Sequence, residues 1–310
     1  MKRIIVTGGA GFLGSNLIKR LLIDNNEIIC IDNLYTSSIT NIKPFLDCDN
    51  FTFINHNVIE PYDFECDEIY NLACPASPVH YQKDPIFTVK TCFLGILNAL
   101  EIAKKYNAKI LQASTSEVYG DPIVSPQNES YRGNVNMIGI RSCYDEGKRI
   151  AETLLMDYHR EYNTKIKIMR IFNTYGPNMD KDDGRVISNF VTQALLNRNI
   201  TIYGQGKQTR SFCFVDDLID GMIKLMNTKD DVTGPINIGN PDEFTIEYLS
   251  KLVISLIDTS SRIVYMPLPQ DDPVQRRPDI TLAKQILNYE PRINLYDGLL
   301  RTIDYFRGIL

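Results

Sequence analysis

The run Arg3-Ile4-Ile5-Val6-Thr7-Gly8-Gly9-Ala10-Gly11-Phe12-Leu13-Gly14 decides the fold. Residues 3–7 are a short apolar run, predicted to be a buried strand, and Leu17, Ile18, Leu21 and Leu22 recur at helical spacing from Ser15 to Leu22. Glycines 9, 11 and 14 fit the pattern G-x-G-x-x-G, and glycines 8, 11 and 14 fit the variant G-x-x-G-x-x-G. Both readings answer one need. The turn must be tight, the backbone must approach a pyrophosphate, and a helix N-terminus must offer its N–H groups. A second apolar run, Ile28-Ile29-Cys30-Ile31, ends in Asp32. An acid there accepts from a ribose 2′-hydroxyl and repels a 2′-phosphate, so the expected cofactor is NAD rather than NADP.

Further strand and helix signals alternate outward from this unit. Strands are expected at Phe51–Ile54, Glu68–Ala73, Lys109–Ala113 and Lys167–Ile171. Helices are expected at about 85–106 and 144–162, the second with Ile150, Leu154, Leu155 and Tyr158 on its buried face. Such alternation implies an α/β fold with a doubly wound parallel sheet of the Rossmann type. Ligands in these sheets bind beyond the carboxyl ends of the strands, where Asp32, Asn57, Cys74 and Ser116 fall. Beyond Pro177 the elements become shorter and mixed, with a helix near 186–197 and a strand at 200–203. We therefore expect residues 1–175 to form the cofactor domain and 176–310 a smaller α/β substrate lobe, with Ile236-Asn237-Ile238 a candidate strand returning to the first sheet.

Composition excludes other classes. The 310 residues carry a net charge of -5, with 44% hydrophobic and 23% charged residues, an ordinary soluble composition with no basic surface for nucleic acid or an anionic membrane. The N-terminal apolar run is too short for a signal peptide, and no uninterrupted apolar stretch approaches the ~18 residues of a membrane span. Seven cysteines without a C-x-x-C read as reduced thiols in a cytoplasmic protein, and three histidines make a metal site unexpected.

Two short motifs carry the chemistry. In Tyr144-Asp145-Glu146-Gly147-Lys148, the Tyr and Lys lie one helical turn apart, and an ammonium near a phenol favours the phenolate. The second is Ser114-Thr115-Ser116-Glu117-Val118-Tyr119-Gly120, directly after a strand. A Tyr and a Lys four apart also occur on many solvated helix faces, so the pair draws its meaning from the strand ends around it.

These motifs, with Asn71-Leu72-Ala73-Cys74-Pro75-Ala76-Ser77-Pro78, Arg141-Ser142-Cys143, Arg149, Arg170-Ile171-Phe172-Asn173-Thr174, Asp183-Gly184-Arg185-Val186 and Gln270-Asp271-Asp272-Pro273, give a resemblance over nearly the full length. The chain resembles the extended short-chain dehydrogenase/reductase (SDR) family and, within it, the UDP-glucuronate decarboxylases. The resemblance implies that Tyr144 takes the proton of the sugar 4-hydroxyl while hydride leaves C4 for NAD. Lys148 would hold the phenolate and bond the nicotinamide ribose, and Ser116 would bridge Tyr144 to the 4-oxygen. The 4-keto sugar is a β-keto acid that loses CO₂; protonation at C5, with Glu117 taking part, and hydride return would give UDP-xylose.

It further implies cofactor contacts from Gly8, Gly11, Phe12, Leu13, Gly14, Asp32, Asn33, Leu34, Thr36, Asn57, Val58, Leu72, Ala73, Cys74 and Thr91, as well as Tyr144 and Lys148. Tyr81, Asn173, Arg185, Tyr203, Gln208, Arg210 and Arg276 are the implied nucleotide-sugar contacts, Arg276 to either the diphosphate or the sugar carboxylate. A homodimer through helices 85–106 and 144–162 is implied as well. Related 4,6-dehydratases carry an Asp where this chain has Ser116, and 4-epimerases usually lack the Glu at 117. An epimerase or dehydratase of another nucleotide sugar, and a non-catalytic nucleotide sensor, are the alternatives. Four departures stand out: the loop Leu34–Ser38 has no basic residue, Asn57 stands where an Asp often faces the adenine amine, Arg132 replaces a usual Trp, and Ile140 a usual Pro.

Overall fold

The computed structural model describes residues 1–267 and 275–310. The motif Gln270–Pro273 lies outside the described residues. The chain opens with β1 (Arg3–Thr7), α1 (Phe12–Ile23), β2 (Glu27–Asp32), β3 (Phe51–Asn55) and β4 (Glu68–Asn71). A broken helical run follows as α2 (Pro78–Lys83), α3 (Pro85–Lys90), a π-helical turn (Thr91–Gly95) and α4 (Ile96–Tyr106). Then come β5 (Lys109–Thr115), α5 (Ser142–Tyr162), β6 (Lys165–Ile171) and β7 (Thr174–Tyr175). The later part holds α6 (Val186–Leu195), β8 (Ile200–Tyr203), β9 (Thr209–Ser211), β10 (Cys213–Phe214), α7 (Val215–Met226), β11 (Ile236–Ile238), β12 (Glu243–Thr245), α8 (Ile246–Leu256), β13 (Ile263–Met266), β14 (Gln275–Arg276), α9 (Thr281–Leu287) and α10 (Leu295–Ile309).

Seven strands form one parallel sheet in the order β11-β6-β5-β4-β1-β2-β3. Its inner strands β1 and β2 are buried on both faces, so they read as apolar runs, whereas edge strand β3 and the charged β6 alternate. Along β1, Ile4 and Val6 join the core cluster that includes Leu17 and Leu218, while Ile5 joins the cluster with Ile96, Leu100 and Leu155. The order reverses between β1 and β4, which opens a crevice at their carboxyl ends.

β11 pairs with β6 in parallel, so the expected returning strand is present. The helix before it, α7, also packs on α1, which the sequence reading did not anticipate. One further difference concerns α5. Ile150 was expected on its buried face but is exposed, and Ala151 takes the buried place beside Leu155. Position 150 points away from the sheet because the true buried stripe runs through Tyr144, Gly147, Lys148, Ala151 and Leu155. The run Pro85–Tyr106 is long and apolar enough (mean hydropathy 1.6) to cross a membrane by composition alone, but half of it is buried inside the protein, as a core helix would be.

Candidate active site

A cleft of about 1280 Å³ opens along the carboxyl ends of β1, β2, β4, β5 and β6. Every site residue expected from the sequence lines it except Leu34. Leu34 adopts a left-handed backbone (φ 57°), packs its side chain on the core, and contributes only its N–H, which donates to Asp32 at 2.8 Å.

The phosphate-facing end is built from main chain. Gly8 sits at φ 68°, and a Cβ on Gly14 would stand 2.3 Å from the Gly8 carbonyl oxygen. No side chain caps α1 and no acid occupies its first turn, so its N–H groups are left for an anion. Asp32 accepts from Ala10 N–H at 3.0 Å, Leu34 N–H at 2.8 Å and the Ser37 hydroxyl at 2.8 Å. Burial raises its pKa while these donors work against the rise. The Asn33 N–H acts on it as well, so the carboxylate is fixed by its own strand end where it lines the cleft. These residues fit a dinucleotide.

At the centre, Tyr144 is buried and its ring stacks on Tyr81, with centroids 5.1 Å apart and planes at 6°. Burial, with Cys74 adding to it, pushes the Tyr144 phenol well above its ordinary pKa, whereas a Thr115 hydrogen bond and the Arg185 charge act to lower it. Lys148 is buried on the same helix, four residues on. Its Nζ donates to the Ala113 carbonyl at 2.8 Å and lies 5.7 Å from the Tyr144 ring centre. Ser116 lines the cleft with them. The hydroxyl that bonds the phenol belongs to Thr115, one residue earlier, and that residue was missed. The reason is local: β5 runs on to Thr115 and the next four residues form a tight 3-10 turn, so the strand ends two residues later than the expected Ala113.

At the sugar-facing end stands an ionic cluster. Glu117 Oε2 accepts from Arg141 at 2.6 Å and from Arg276 at 2.8 Å. Arg276, only 2% exposed, also donates to the carbonyls of Ser116 (3.0 Å) and Gly120 (2.8 Å). Burial alone would raise the Glu117 pKa, but Arg276 and Arg141 overcome it and hold the carboxyl below its ordinary value. The choice left open for Arg276 is thereby narrowed, because its guanidinium sits beside Ser116 and Glu117. Arg141 and Asp145 were not among the expected site residues. Asp145 is buried, one of its oxygens lacks a hydrogen-bond partner among the described residues, and burial with the Glu117 charge pushes its pKa up to about 7.

The remaining substrate candidates ring the outer cleft. Arg185 pairs with Asp183 at 3.1 Å, Gln208 donates to the Tyr203 carbonyl at 2.7 Å, and Arg210 donates to the Thr209 carbonyl at 2.9 Å. Ile140 lines the cleft and is half exposed, whereas Arg132 presents its carbonyl to Arg149 at 2.9 Å.

Comparison with known proteins agrees with this geometry. The chain is 53% identical over 305 residues to UDP-glucuronic acid decarboxylase 4 of Arabidopsis thaliana, covering 98% of this chain and 68% of that one. It is 50% identical to UDP-glucuronic acid decarboxylase 1 of Danio rerio, covering 98% and 72%. Among solved structures, a UDP-glucuronic acid 4-epimerase from Bacillus cereus, in complex with UDP-glucuronic acid and NAD, superposes with a TM-score of 0.90 at 28% identity, covering 99% of this chain and 100% of that one. Residues 4–239 match the NAD dependent epimerase/dehydratase family, and the chain, an extended SDR protein with its Tyr-Lys pair buried at the centre of a glycine-turn cleft, belongs to that family.

Proposed function

We propose that the protein converts UDP-glucuronate to UDP-xylose and CO₂ through a 4-keto sugar, with NAD regenerated in every cycle. The observation that carries this reading is the buried cluster of Glu117, Arg141 and Arg276 beside Tyr144. A dehydratase needs an acid at position 116 to protonate a leaving hydroxyl, and Ser116 has none. A decarboxylase needs cations where a sugar carboxylate sits, and two forked guanidinium groups meet that need.

NAD, when bound, supplies a reversible hydride acceptor; the protein supplies position and proton transfer. The glycine turn, the start of α1 and Asp32 hold the dinucleotide. Tyr144 accepts the proton of the 4-hydroxyl, and Thr115 holds the phenol oxygen in place. Lys148, released from the Ala113 carbonyl, supplies the positive charge that lowers the phenol pKa. Arg276 receives the sugar carboxylate, and Glu117, kept ionised by its arginines, handles the proton at C5 through water. Arg185 and Arg210 face the diphosphate.

Incubating NAD-loaded protein with UDP-glucuronate should release CO₂, give a product lighter by about 44 Da, and leave total NAD unchanged. An isomer of unchanged mass, or a loss of about 18 Da, would instead identify an epimerase or a dehydratase.

The protein is further read as a cytoplasmic homodimer. Its seven thiols are all free, as expected for a reducing compartment. Ile86, Val89 and Phe93 along the run before α4, together with Ile150 on α5, leave an apolar face exposed to a partner. A Phe93→Asp, Ile150→Asp double change should give a monomer by analytical ultracentrifugation; a parent protein already monomeric at micromolar concentration would refute the dimer.

A further inference from the structure

Two thiols lie beneath the centre of the cleft and take no part in the mechanism above. Cys74, on the loop after β4, and Cys92, in the π-helical turn, have their Sγ atoms 3.3 Å apart. Cys74 is half-buried and lines the cleft, so a small oxidant reaches it from solvent; Cys92 is buried. The two cysteines touch different parts of the machinery. A Cβ on Gly8 would stand 2.8 Å from Ala73 Cα, so the phosphate-binding turn packs directly on the residue before Cys74. A Cβ on Gly147 would stand 2.9 Å from both Cβ and Sγ of Cys92, so Cys92 fills the space left by the glycine between Tyr144 and Lys148.

We propose that Cys74 and Cys92 form a peroxide-sensitive dithiol, whose oxidation to a disulfide shuts the cofactor end of the cleft. The Cys74 sulfur attacks the O–O bond of a hydroperoxide, giving a sulfenic acid and releasing water, or an alcohol from an organic peroxide. The Cys92 sulfur then displaces the new hydroxyl as water and the S–S bond forms. Two electrons pass from the two sulfurs to the peroxide, and the two thiol protons leave with its oxygens. The division of roles follows from the surroundings. Burial opposes ionisation of Cys74, but the Cys92 hydrogen bond and the Lys148 charge overcome it, whereas Cys92 is held well above the ordinary thiol value. Cys74 is therefore the attacking sulfur and Cys92 the resolving one.

Bond formation must close the sulfurs to about 2.05 Å, a movement of roughly 1.2 Å. That movement pulls on Ala73 under the glycine turn, on Cys92 against Gly147, or on both. Displacements near 1 Å in a catalytic constellation cost on the order of 10²-fold in rate.

The test uses the reduced full-length protein, freed of NAD, and stoichiometric hydrogen peroxide. Expected are a mass loss of about 2 Da, a Cys74–Cys92 cross-linked peptide, and a fall in NAD affinity by calorimetry and in turnover on the order of 10²-fold, all reversed by dithiothreitol. Cross-linking without loss of NAD affinity, or a cross-link from Cys74 to Cys143 in its place, overturns the proposal. Cys92→Ser should bind NAD as the parent does and, given a second and third equivalent of hydrogen peroxide, carry Cys74 from sulfenic to sulfinic acid that dithiothreitol does not reverse; full reversal of inactivation in that variant under the same excess also overturns it. Should Cys92→Ser fail to fold, Cys143→Ser should still form the 74–92 cross-link, and its absence there counts against the proposal. Mass and NAD binding are read without any sugar nucleotide, so this result stands apart from the identity of the substrate.

Discussion

On the cofactor side of the cleft, position is set by main chain. A glycine turn, an uncapped helix start and a carboxylate held by donors from its own βαβ unit all come from residues 8–37, where the longest span is the 22 residues from Ala10 to Asp32. On the sugar side, position is set by side chains that reach across the molecule. Arg276 crosses 159 residues of chain to reach Glu117, and Arg141 crosses 24. The first half is shaped by main chain around a dinucleotide; the second is ionic, with Glu117 shared between two arginines. Common chemistry thus rests on local backbone, and substrate choice on long-range ion pairs.

The comparison can be broken most sharply at the residue both halves share. Tyr144→Phe should lower turnover on the order of 10²–10⁴-fold while leaving NAD affinity nearly unchanged, measured by UDP-xylose formation and calorimetry. Retained turnover would mean the phenol is not the base. Next in size is Arg276→Ala, which leaves the buried Glu117 with one guanidinium partner and should destabilise the fold by about 3–5 kcal/mol in urea unfolding, along with loss of turnover. If the sugar side were as locally determined as the cofactor side, stability would barely change.

Asp32→Ala tests the other half. It should weaken NAD binding roughly ten- to hundredfold with little effect on turnover at saturating NAD. The smallest effect concerns Asp145. Its folded pKa of about 7 lies above the ordinary 3.8, so its contribution to stability is full below pH 3.8 and is lost as the pH rises through 7. Asp145→Asn should therefore raise Tm more at about pH 8 than at about pH 5. An equal shift at both would show that the carboxyl is not perturbed.

The same contrast explains what could be read beforehand. Gly8 to Gly14, Asp32 and the strand ends at Asn57 and Cys74 were legible because turn, strand and helix signals lie within a few residues of one another. Tyr144 and Lys148 were legible as a helical pair, but the burial that raises the phenol and the Ala113 carbonyl that holds the ammonium were not. Thr115 was hidden because β5 runs two residues past the expected Ala113, at a strand end, where apolar pattern says least. Leu34 was placed in the cleft because it follows Asp32, and only its left-handed backbone turns it away. The Glu117–Arg276 contact had no local signal at all, since nothing in either neighbourhood names the other. Ile150 was misplaced because Gly147 and Lys148, which share the buried stripe, do not look apolar.

The pairing of β11 with β6 has a consequence for how the chain is made. Phe172 N–H bonds the Ile238 carbonyl, and among the described residues β11 is the one strand beside β6 on that edge of the sheet. During synthesis the edge of β6 stays open until residue 238 has left the ribosome, by which time most of the sugar-side chain has emerged as well. The dinucleotide layer is thus completed by a segment translated after α6 and β8, and a nascent chain cannot finish the first layer before beginning the second.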